Sequence, residues 1–303
     1  MLILALCAVI SSPGAVSLAV ITSPNLLNVQ PCTRPSAILG GQDADDGKHR
    51  FMAAIVNYDE IGKMQLRCGA TLITPRHILL AAHCFFAKSG TQHINIAESL
   101  SVIVGVSDLG YADDYAVTLP MSTVKIHPDY QPKDSSALGD IAVVKLSDPK
   151  SEVQEAINDK CKADVVLLPD SAKRIMLRAG QQVEALGWGR TETSKSSEKL
   201  KRVDIVYMPY NDCLKSRPQL ANGTFCAVAN EGRDTCARDS GGPILTSKQT
   251  AESSRHSEAL YQIGVTHGGS KRCGSKGAKP SIYVDVLSYL DWIKKTVDDL
   301  GTA

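Results

Sequence analysis

Short apolar runs, rich in β-branched residues and separated by turn residues, follow one another along most of this 303-residue chain. Each run is too short for a helix, and no long segment of helical period lies between them. The clearest runs span residues 52–56, 101–106, 141–146, 164–169, 203–208, 261–266 and 281–286. Many short strands in this arrangement are typical of antiparallel barrels or a sandwich, so the pattern predicts an all-β protein.

The C-terminal end follows a helical period instead. Apolar residues recur there at spacings of three and four, with charged residues on the other faces. These apolar residues are Leu287, Leu290, Ile293, Val297 and Leu300. The spacing predicts an amphipathic helix that packs its apolar face on the body of the protein.

The start of the chain has the features of a targeting segment, with no charged side chain among its first twenty residues. An apolar run is interrupted by Pro13 and Gly14 and followed by small residues, which predicts a secretory signal peptide over residues 1–19. A membrane anchor is disfavoured because the apolar run is too short to span a bilayer. Residues 20–37 contain prolines and lack a strand pattern, which predicts a pro-segment before a main domain at 38–303.

Charge and cysteine content narrow the class of protein. The 33 Lys and Arg residues balance 32 Asp and Glu residues, and this net charge of +1 gives no reason to expect nucleic acid or an anionic membrane as a partner. One cysteine, Cys7, lies in the predicted signal peptide. The other eight are Cys32, Cys68, Cys84, Cys161, Cys213, Cys226, Cys236 and Cys273. An even number in an exported chain suggests four disulfides, with the pairing left open, and the lack of CxxC or HxxxH motifs disfavours zinc.

Three short segments carry candidate chemistry. "LLAAHCF" places His83 after an apolar run, "GDIAVVKL" places Asp140 at the start of one, and "DTCARDSGGP" places Ser240 beside two glycines. Singly, each has an ordinary explanation as a core histidine, a turn aspartate or a glycine-rich loop. Together they give the order His, Asp, Ser of a catalytic triad, which favours hydrolysis by a serine nucleophile.

These segments and several others resemble the trypsin/chymotrypsin-like serine protease family over roughly residues 38–297. Further matching motifs are "ILGG" (38–41), "CGATLI" (68–73), "GWGR" (187–190), "GVTHGG" (264–269) and "KPSIYVDV" (279–286). The resemblance implies two six-stranded antiparallel β-barrels with a C-terminal α-helix, and an active site between the barrels.

The resemblance also implies the roles of residues at the site. Ser240 would attack the substrate carbonyl, His83 would accept and return its proton, and Asp140 would orient the imidazole. Backbone N–H groups of Arg238 and Ser240 would form the oxyanion hole. Arg238 departs from the glycine of the family, and its side chain would cost about 1–2 kcal/mol if the loop needs a left-handed conformation.

The specificity pocket matches trypsin-like members in part. Asp234 stands at the position of the pocket base, where a carboxylate would bind a substrate Lys or Arg; an aspartate capped by turn amides is the alternative. Gly268 keeps one wall glycine, but Ser281 replaces the other and would narrow the pocket. His267 stands where the family usually has tryptophan, which predicts a less apolar neighbouring subsite.

Activation and cross-linking follow from the same resemblance. Cleavage before Ile38 would free an ammonium group that pairs with Asp239. Because Ala37 precedes that bond, we expect a protease of non-tryptic specificity to cut it. The implied disulfides are Cys68–Cys84, Cys213–Cys226, Cys236–Cys273 and, as the remaining pair, Cys32–Cys161. Asn222 begins an N-glycosylation sequon.

The sequence therefore predicts a secreted serine endopeptidase, made as a zymogen, that cleaves polypeptides after Arg or Lys. Protein protease inhibitors are expected as further partners. We expect a monomer that uses no cofactor or metal and binds neither nucleic acid nor membranes. The alternative is a weak or catalytically silent homologue that acts as a binding or inhibitory protein. Arg238, Ser281 and His267 favour this alternative because all three depart from the family at substrate-facing positions.

Overall fold

The structure is a computed structural model, and contacts divide it into two compact units, Met1–Thr33 and Arg34–Ala303. It describes residues 5–10, 16–21, 42–44, 47–86, 100–111, 116–132, 134–148, 150–159, 162–169, 175, 177–191, 194, 196–228, 234–248, 259–269, 275 and 277–301. In the first unit, strands β1 (Ala5–Ile10) and β2 (Val16–Ile21) pair antiparallel. The predicted signal peptide overlaps this pair, and its removal stays a prediction. A short strand, β3 (Gln42–Asp43), begins the described part of the second unit.

A closed six-stranded antiparallel barrel follows. Its strands are β4 (Met52–Tyr58), β5 (Met64–Thr74), β6 (His77–Leu80), β7 (Ser101–Val104), β8 (Val117–Ile126) and β9 (Ala142–Leu146). Around the barrel they lie in the order β4, β5, β6, β9, β8 and β7. Leu72, Ile78, Val102 and Val144 are fully buried and belong to its core. Burying such side chains is what makes these short apolar runs stable as strands.

A second barrel forms the C-terminal half. Its strands are β10 (Gln182–Gly187), β11 (Lys201–Met208), β12 (Thr224–Val228), β13 (Pro243–Lys248), β14 (Ala259–Gly268) and β15 (Ser281–Asp285). They lie in the order β10, β13, β14, β15, β12 and β11, and pairing of β10 with β11 closes the ring. Strand β3 pairs with the remaining edge of β11. The predicted pair of six-stranded barrels is confirmed.

Helices are few among the described residues: α1 (Glu152–Asn158), α2 (Tyr210–Cys213) and α3 (Leu290–Leu300). The predicted C-terminal helix is confirmed as α3, although a 3₁₀ turn at Val286–Tyr289 precedes its regular part. The Asp285 carboxylate accepts the Leu287 N–H at 3.1 Å and so caps that turn. No helix in the described parts of the chain has the length and apolar character required to cross a bilayer.

One predicted strand is wrong. Residues 164–169 make only an isolated bridge, between Leu167 and Tyr261. Val166 N–H donates to the Leu72 carbonyl in the first barrel at 2.9 Å, and Gln262 N–H in the second barrel donates to the Leu167 carbonyl at 2.8 Å. The segment is a connection that bonds once to each barrel. Val166 in this connection is buried, whereas Leu167 is exposed.

Candidate active site

His83 lies just after β6, in a 3₁₀ turn formed by Ala82–Phe85. The Cys68–Cys84 disulfide ties this turn to β5. The backbone N–H of His83 donates to Asp140 Oδ1 at 2.8 Å, and its Nδ1 lies 2.7 Å from Asp140 Oδ2. These two contacts fix the position of the turn and the orientation of the imidazole.

Asp140 ends the loop that leads into β9. The loop turns through Gly139, whose φ is 60°, and an added Cβ there would meet the backbone nitrogen of Tyr130 at 2.9 Å. Gly139 N–H also donates to the Tyr289 hydroxyl at 3.0 Å, so the turn before α3 supports this loop. Asp140 itself is fully buried. Sequence reasoning missed Tyr289, because only the folded chain brings it to the loop.

His267, on β14 of the second barrel, also reaches Asp140. Its Nδ1 lies 2.5 Å from Oδ2, the oxygen that contacts His83, and the two rings meet edge-on with centroids 5.6 Å apart. The histidine side chains are 31% and 21% exposed, for His83 and His267 in turn. The neighbouring Thr266 hydroxyl is buried and has no hydrogen-bond partner among the described residues. One carboxylate oxygen thus faces two imidazoles, a contact that sequence reasoning missed.

His83 and Asp140 shift each other's pKa, and His267 adds to the effect on Asp140. Burial acts to raise the pKa of Asp140, but His83 and His267 outweigh it and hold that pKa well below its usual range. Burial acts to lower the pKa of His83, but the charge and hydrogen bond of Asp140 outweigh it, so the pKa of His83 is raised. The charge of Arg67, which donates to backbone carbonyls next to His83, opposes that rise. An ionised, buried carboxylate beside a partly exposed histidine suits general base catalysis.

Ser240 lies in the loop before β13. Gly69 N–H, on β5, donates to its carbonyl at 2.9 Å and joins the loop to the first barrel. Gly241 has a φ of 81°, and an added Cβ would lie 2.3 Å from the Gly69 carbonyl oxygen, so the position requires glycine. Ser240 Oγ donates to the His267 carbonyl at 3.5 Å, and no hydrogen bond joins Ser240 to His83, both of which the structure describes. The serine hydroxyl is therefore bonded to the backbone of His267 and not to the imidazole of His83.

Arg238 adopts the left-handed backbone conformation that sequence reasoning raised for it. Its φ is 77°, in the region that favours glycine. Nearby, Arg190 N–H donates to the Ala237 carbonyl at 2.9 Å, which holds the other end of this turn. The arginine therefore strains the loop through its β-carbon, independently of its charge.

Asp239 directs its carboxylate against a glycine-containing segment of the second barrel. Gly189 and Cys236 each donate a backbone N–H to it at 2.8 Å. An added Cβ would lie 2.0 Å from its Oδ1 at Gly187 and 2.4 Å from it at Gly189, so both glycines make room for the carboxylate. Burial raises the pKa of Asp239 to about 6 in spite of the two backbone hydrogen bonds. Its predicted partner, Ile38, lies outside the described residues.

Comparison with known proteins assigns the family. A family model described as Trypsin matches residues 38–293. The CLIP domain-containing serine protease B4 of Anopheles gambiae is 31% identical over 96% of this chain and 77% of its own length. This chain belongs to the trypsin family. Serine protease 7 of Drosophila melanogaster is 29% identical over 90% of this trypsin-family chain and 69% of its own length. Phenoloxidase-activating factor 3 of Holotrichia diomphalia is 27% identical over 86% of this chain and 72% of its own length. The protein is accordingly a serine endopeptidase.

The predicted pocket residues of this trypsin-family protease lie together. Ser281 Oγ donates to Asp234 Oδ1 at 2.8 Å, and the serine is almost fully buried. Beside them the hydroxyls of Thr235 and Tyr283 hydrogen-bond at 2.9 Å. Gly268 has a φ of 157° at the end of β14. The Ser281 side chain therefore occupies space next to Asp234, and its hydroxyl already donates a hydrogen bond to one of the two carboxylate oxygens.

The cysteines and the sequon complete the predicted sites of this protease. The structure contains the Cys68–Cys84 and Cys213–Cys226 disulfides, and Cys236 is disulfide-bonded. The predicted partners and termini that lie outside the described residues are Ile38, Cys32, Cys161 and Cys273. Asn222 is exposed just before β12, and its side-chain oxygen accepts the Gly223 N–H at 3.0 Å. This position is open to solvent, as glycosylation requires.

Proposed function

We propose that this protein is secreted as a zymogen and, once cut before Ile38, cleaves polypeptides after Arg or Lys. The observation that carries the proposal is the fully buried Asp140 that fixes His83 through both the backbone and the ring, 2.8 and 2.7 Å away. Such a pair gives a histidine a defined tautomer and stabilises its positive charge. A serine at the neighbouring loop supplies the nucleophile.

The steps of the reaction use named groups of this chain. Ser240 Oγ attacks the carbonyl carbon of the scissile bond while His83 takes its proton. His83 then returns the proton to the departing amine, and water repeats the sequence to release the acyl group. Backbone N–H groups of Arg238 and Ser240 bind the oxyanion, a contribution of roughly 3–4 kcal/mol per donor in a serine protease. Ser240 and His83 are not hydrogen-bonded in this chain, so the hydrogen bond forms when the loop reorganises on activation.

Activation supplies that reorganisation. Asp239 lies in the same loop as Arg238 and Ser240, and its raised pKa reflects a buried carboxylate held by neutral donors. An ammonium group at Ile38 stabilises the ionised form and holds the loop in one conformation. The Ala37–Ile38 bond offers no basic side chain to a trypsin-like activator, so a protease of another specificity makes the cut.

Asp234 gives the preference for basic side chains, and Ser281 modifies it. The carboxylate pairs with a substrate ammonium or guanidinium group at the bottom of the pocket. Ser281 already donates to one of its oxygens at 2.8 Å, which leaves less room and fewer acceptor positions for the larger guanidinium. We therefore expect Lys to be accepted at least as well as Arg. Relatives named Proclotting enzyme and Phenoloxidase-activating factor 3 favour limited cleavage of a protein precursor as the role.

A second candidate is a weak or silent homologue that binds proteins without cutting them. Two observations favour it, the left-handed backbone of Arg238 and the missing hydrogen bond between Ser240 and His83. Both lie in the loop that activation reorganises, so the proposal of an active enzyme applies to the chain cut before Ile38.

The test compares the intact chain with the chain cut before Ile38. A fluorophosphonate probe labels the cut form and leaves the intact form and Ser240→Ala unlabelled. Peptides that differ only in the residue before the scissile bond then measure specificity, with Lys and Arg against Leu. Asp234→Ser removes the preference for Lys and Arg, while Ser281→Gly raises the rate on Arg peptides more than on Lys peptides. A cut form that takes no label establishes the silent homologue instead.

A further inference from the structure

Two histidines, His83 and His267, contact the same carboxylate oxygen of Asp140. His83 Nδ1 and His267 Nδ1 lie 2.7 and 2.5 Å from the same oxygen, Asp140 Oδ2, and the three atoms lie within 4.8 Å of one another. Two neutral imidazoles can both donate to one ionised oxygen, and so can an imidazole and an imidazolium. A second use of the same three groups is to share a metal ion.

We infer that His83, Asp140 and His267 bind a divalent transition-metal ion, with zinc as the best match, and that this ion inhibits the protease reversibly. Two imidazole nitrogens and one carboxylate oxygen are the three protein ligands of a common class of open zinc site, with the fourth position left to water or another oxygen. The inhibitory consequence rests on the proposed catalytic role of His83. The binding itself does not.

The geometry accommodates the ion after a small movement. Two ligands that each lie about 2.0–2.2 Å from a tetrahedral zinc ion are about 3.3–3.5 Å apart. The contacts of 2.5 and 2.7 Å must therefore open by about 0.6–1.0 Å. Asp140 is fully buried and held at Oδ1 by the His83 N–H, so the two imidazoles move. Both can, because His83 is 31% and His267 is 21% exposed.

A second group of potential ligands near His83 does not compete. Cys68 and Cys84 lie beside the histidine, but they are joined in a disulfide and offer no thiolate. No further cluster of three such side chains occurs in the described part of the chain. The site thus depends on His267, the residue that departs from the tryptophan of the family.

Binding removes the groups that the reaction needs. The metal binds the Nδ1 lone pair of each neutral imidazole, so the proton that Nδ1 carried is transferred through solvent to Nε2, and the hydrogen bond between His83 and Asp140 is lost. Nε2 of His83 then carries a proton and has no lone pair with which to accept the proton of Ser240. Substrate hydrolysis stops until the metal leaves or a chelator removes it.

The experiment measures zinc binding directly and inhibition separately. Isothermal titration calorimetry with zinc chloride uses the chain cut before Ile38, as the wild type, His267→Gln, His267→Trp and His49→Gln. The last is the matched control, since the His49 ring pairs with Glu184 and is not one of the three residues of this cluster. We expect one zinc ion per chain, binding weakened at least about tenfold in both His267 variants and unchanged in the control. Magnesium, which prefers oxygen ligands, should not bind.

The same proteins are then assayed on a Lys peptide across a zinc series, each against its own zinc-free rate. Inhibition that parallels the calorimetric affinity, is lost in the His267 variants and is reversed by EDTA supports the inference. Zinc affinity that is equal in wild type and His267→Gln, or no binding in the wild type, overturns it. If zinc binds as expected but no form is labelled by the fluorophosphonate, the metal site stands and the proposed enzymatic function fails.

Discussion

The pKa values of two carboxylates, Asp140 in the first barrel and Asp239 in the second, are shifted in opposite directions. Asp140 in the first barrel faces two imidazoles, and its pKa lies far below the usual range. Asp239 in the second barrel meets two backbone N–H groups, and its pKa is raised to about 6. Burial disfavours the charge in both cases, so the partners decide the outcome. Neutral donors alone do not offset the desolvation of a carboxylate here, whereas groups that can carry positive charge do.

The comparison divides the site into two halves: a finished half, His83 and Asp140, whose hydrogen bonds are already formed, and an unfinished half, the loop of Arg238, Asp239 and Ser240, which has yet to reorganise. The His83–Asp140 pair is assembled within the intact chain, because both residues sit on turns of one barrel. The loop of Arg238, Asp239 and Ser240 holds a carboxyl group whose pKa is raised and an arginine with a left-handed backbone. Activation, on this view, adds a cation to the second half and leaves the first as it is.

The largest effect is expected at the finished half. Asp140→Asn should lower kcat of the cut form by about 10⁴-fold, because the amide cannot hold the imidazole in the required tautomer or stabilise its positive charge. The measurement is the initial rate on a Lys peptide at saturating concentration. Asp129→Asn, which changes an exposed carboxylate earlier in the same connection, serves as the control and should retain the wild-type rate. A loss of less than about tenfold would show that Asp140 does not orient His83 or stabilise its positive charge during the reaction.

At the unfinished half, removing the negative charge of Asp239 by Asp239→Asn should stabilise the precursor and abolish its activation. Because the pKa of Asp239 is about 6 in the folded chain and about 4 in the unfolded chain, the folded state binds more protons between those pH values. Stability contributed by this group is therefore present below about pH 4 and lost as pH rises through about 6. Asp239→Asn should raise the free energy of unfolding of the intact chain by about 2–3 kcal/mol at pH 8 and leave it unchanged at pH 4.

Urea unfolding of the intact chain at the two pH values measures this effect, and labelling of the cut chain measures activation. Asp212→Asn, at an exposed surface pair with Lys215, is the control and should show neither change. A variant that is destabilised at pH 8 would mean that Asp239 already has a cationic partner in the precursor, and the contrast with Asp140 would disappear.

How much of this was predictable from the sequence differs between elements and contacts. Six of the seven apolar runs correspond to strands, because burial on the inside of a barrel imposes short apolar segments. The eleven residues of β5 gave no such signal, since its burial is interrupted and its "RCGA" segment serves the disulfide and the barrel interface. Residues 164–169 gave a false one, because Val165, Val166 and Leu168 pack against the hydrophobic cores from a connection and not from a strand.

The site divides in the same way. His83, Asp140 and the Ser240 loop were found from short motifs, since each is set by a turn of a few residues. The contact of His267 with Asp140 joins positions 127 residues apart on different barrels, and no local pattern records it. The left-handed Arg238 lies between these cases, because a family glycine indicated the conformation and the coordinates supplied the φ of 77°.

A smaller effect is expected from relieving the strain in the unfinished half. Arg238→Gly removes a β-carbon from a left-handed position, worth about 1–2 kcal/mol, and returns part of that through a more flexible unfolded chain. The net gain in the free energy of unfolding should be about 0.5–1 kcal/mol. Protein protease inhibitors should also bind the cut form more tightly.

Arg238→Ala separates the effect of backbone strain from the effect of side-chain bulk, because it removes the guanidinium and keeps the β-carbon. If strain governs stability and bulk governs binding, only Gly stabilises, while both variants improve the inhibition constant. Equal inhibition constants for the wild type and Arg238→Gly would show that the Arg238 side chain does not contact bound protein inhibitors.

The smallest effect on activity, none, is expected at Thr266, and it tests whether a second residue of β14 besides His267 interacts with Asp140. Thr266 adjoins His267 on β14, and its buried hydroxyl has no partner among the described residues. Thr266→Val keeps the shape of the side chain and removes this group, so we expect a gain of about 1 kcal/mol in the free energy of unfolding and no change in kcat. Thr266→Ser, which keeps the hydroxyl, should show no gain. If Val instead lowers kcat while Ser does not, the hydroxyl is a donor to Asp140 in the working enzyme. His267 and Thr266 would then both donate hydrogen bonds to the ionised Asp140 carboxylate, which is the buried charge of the first half of the site.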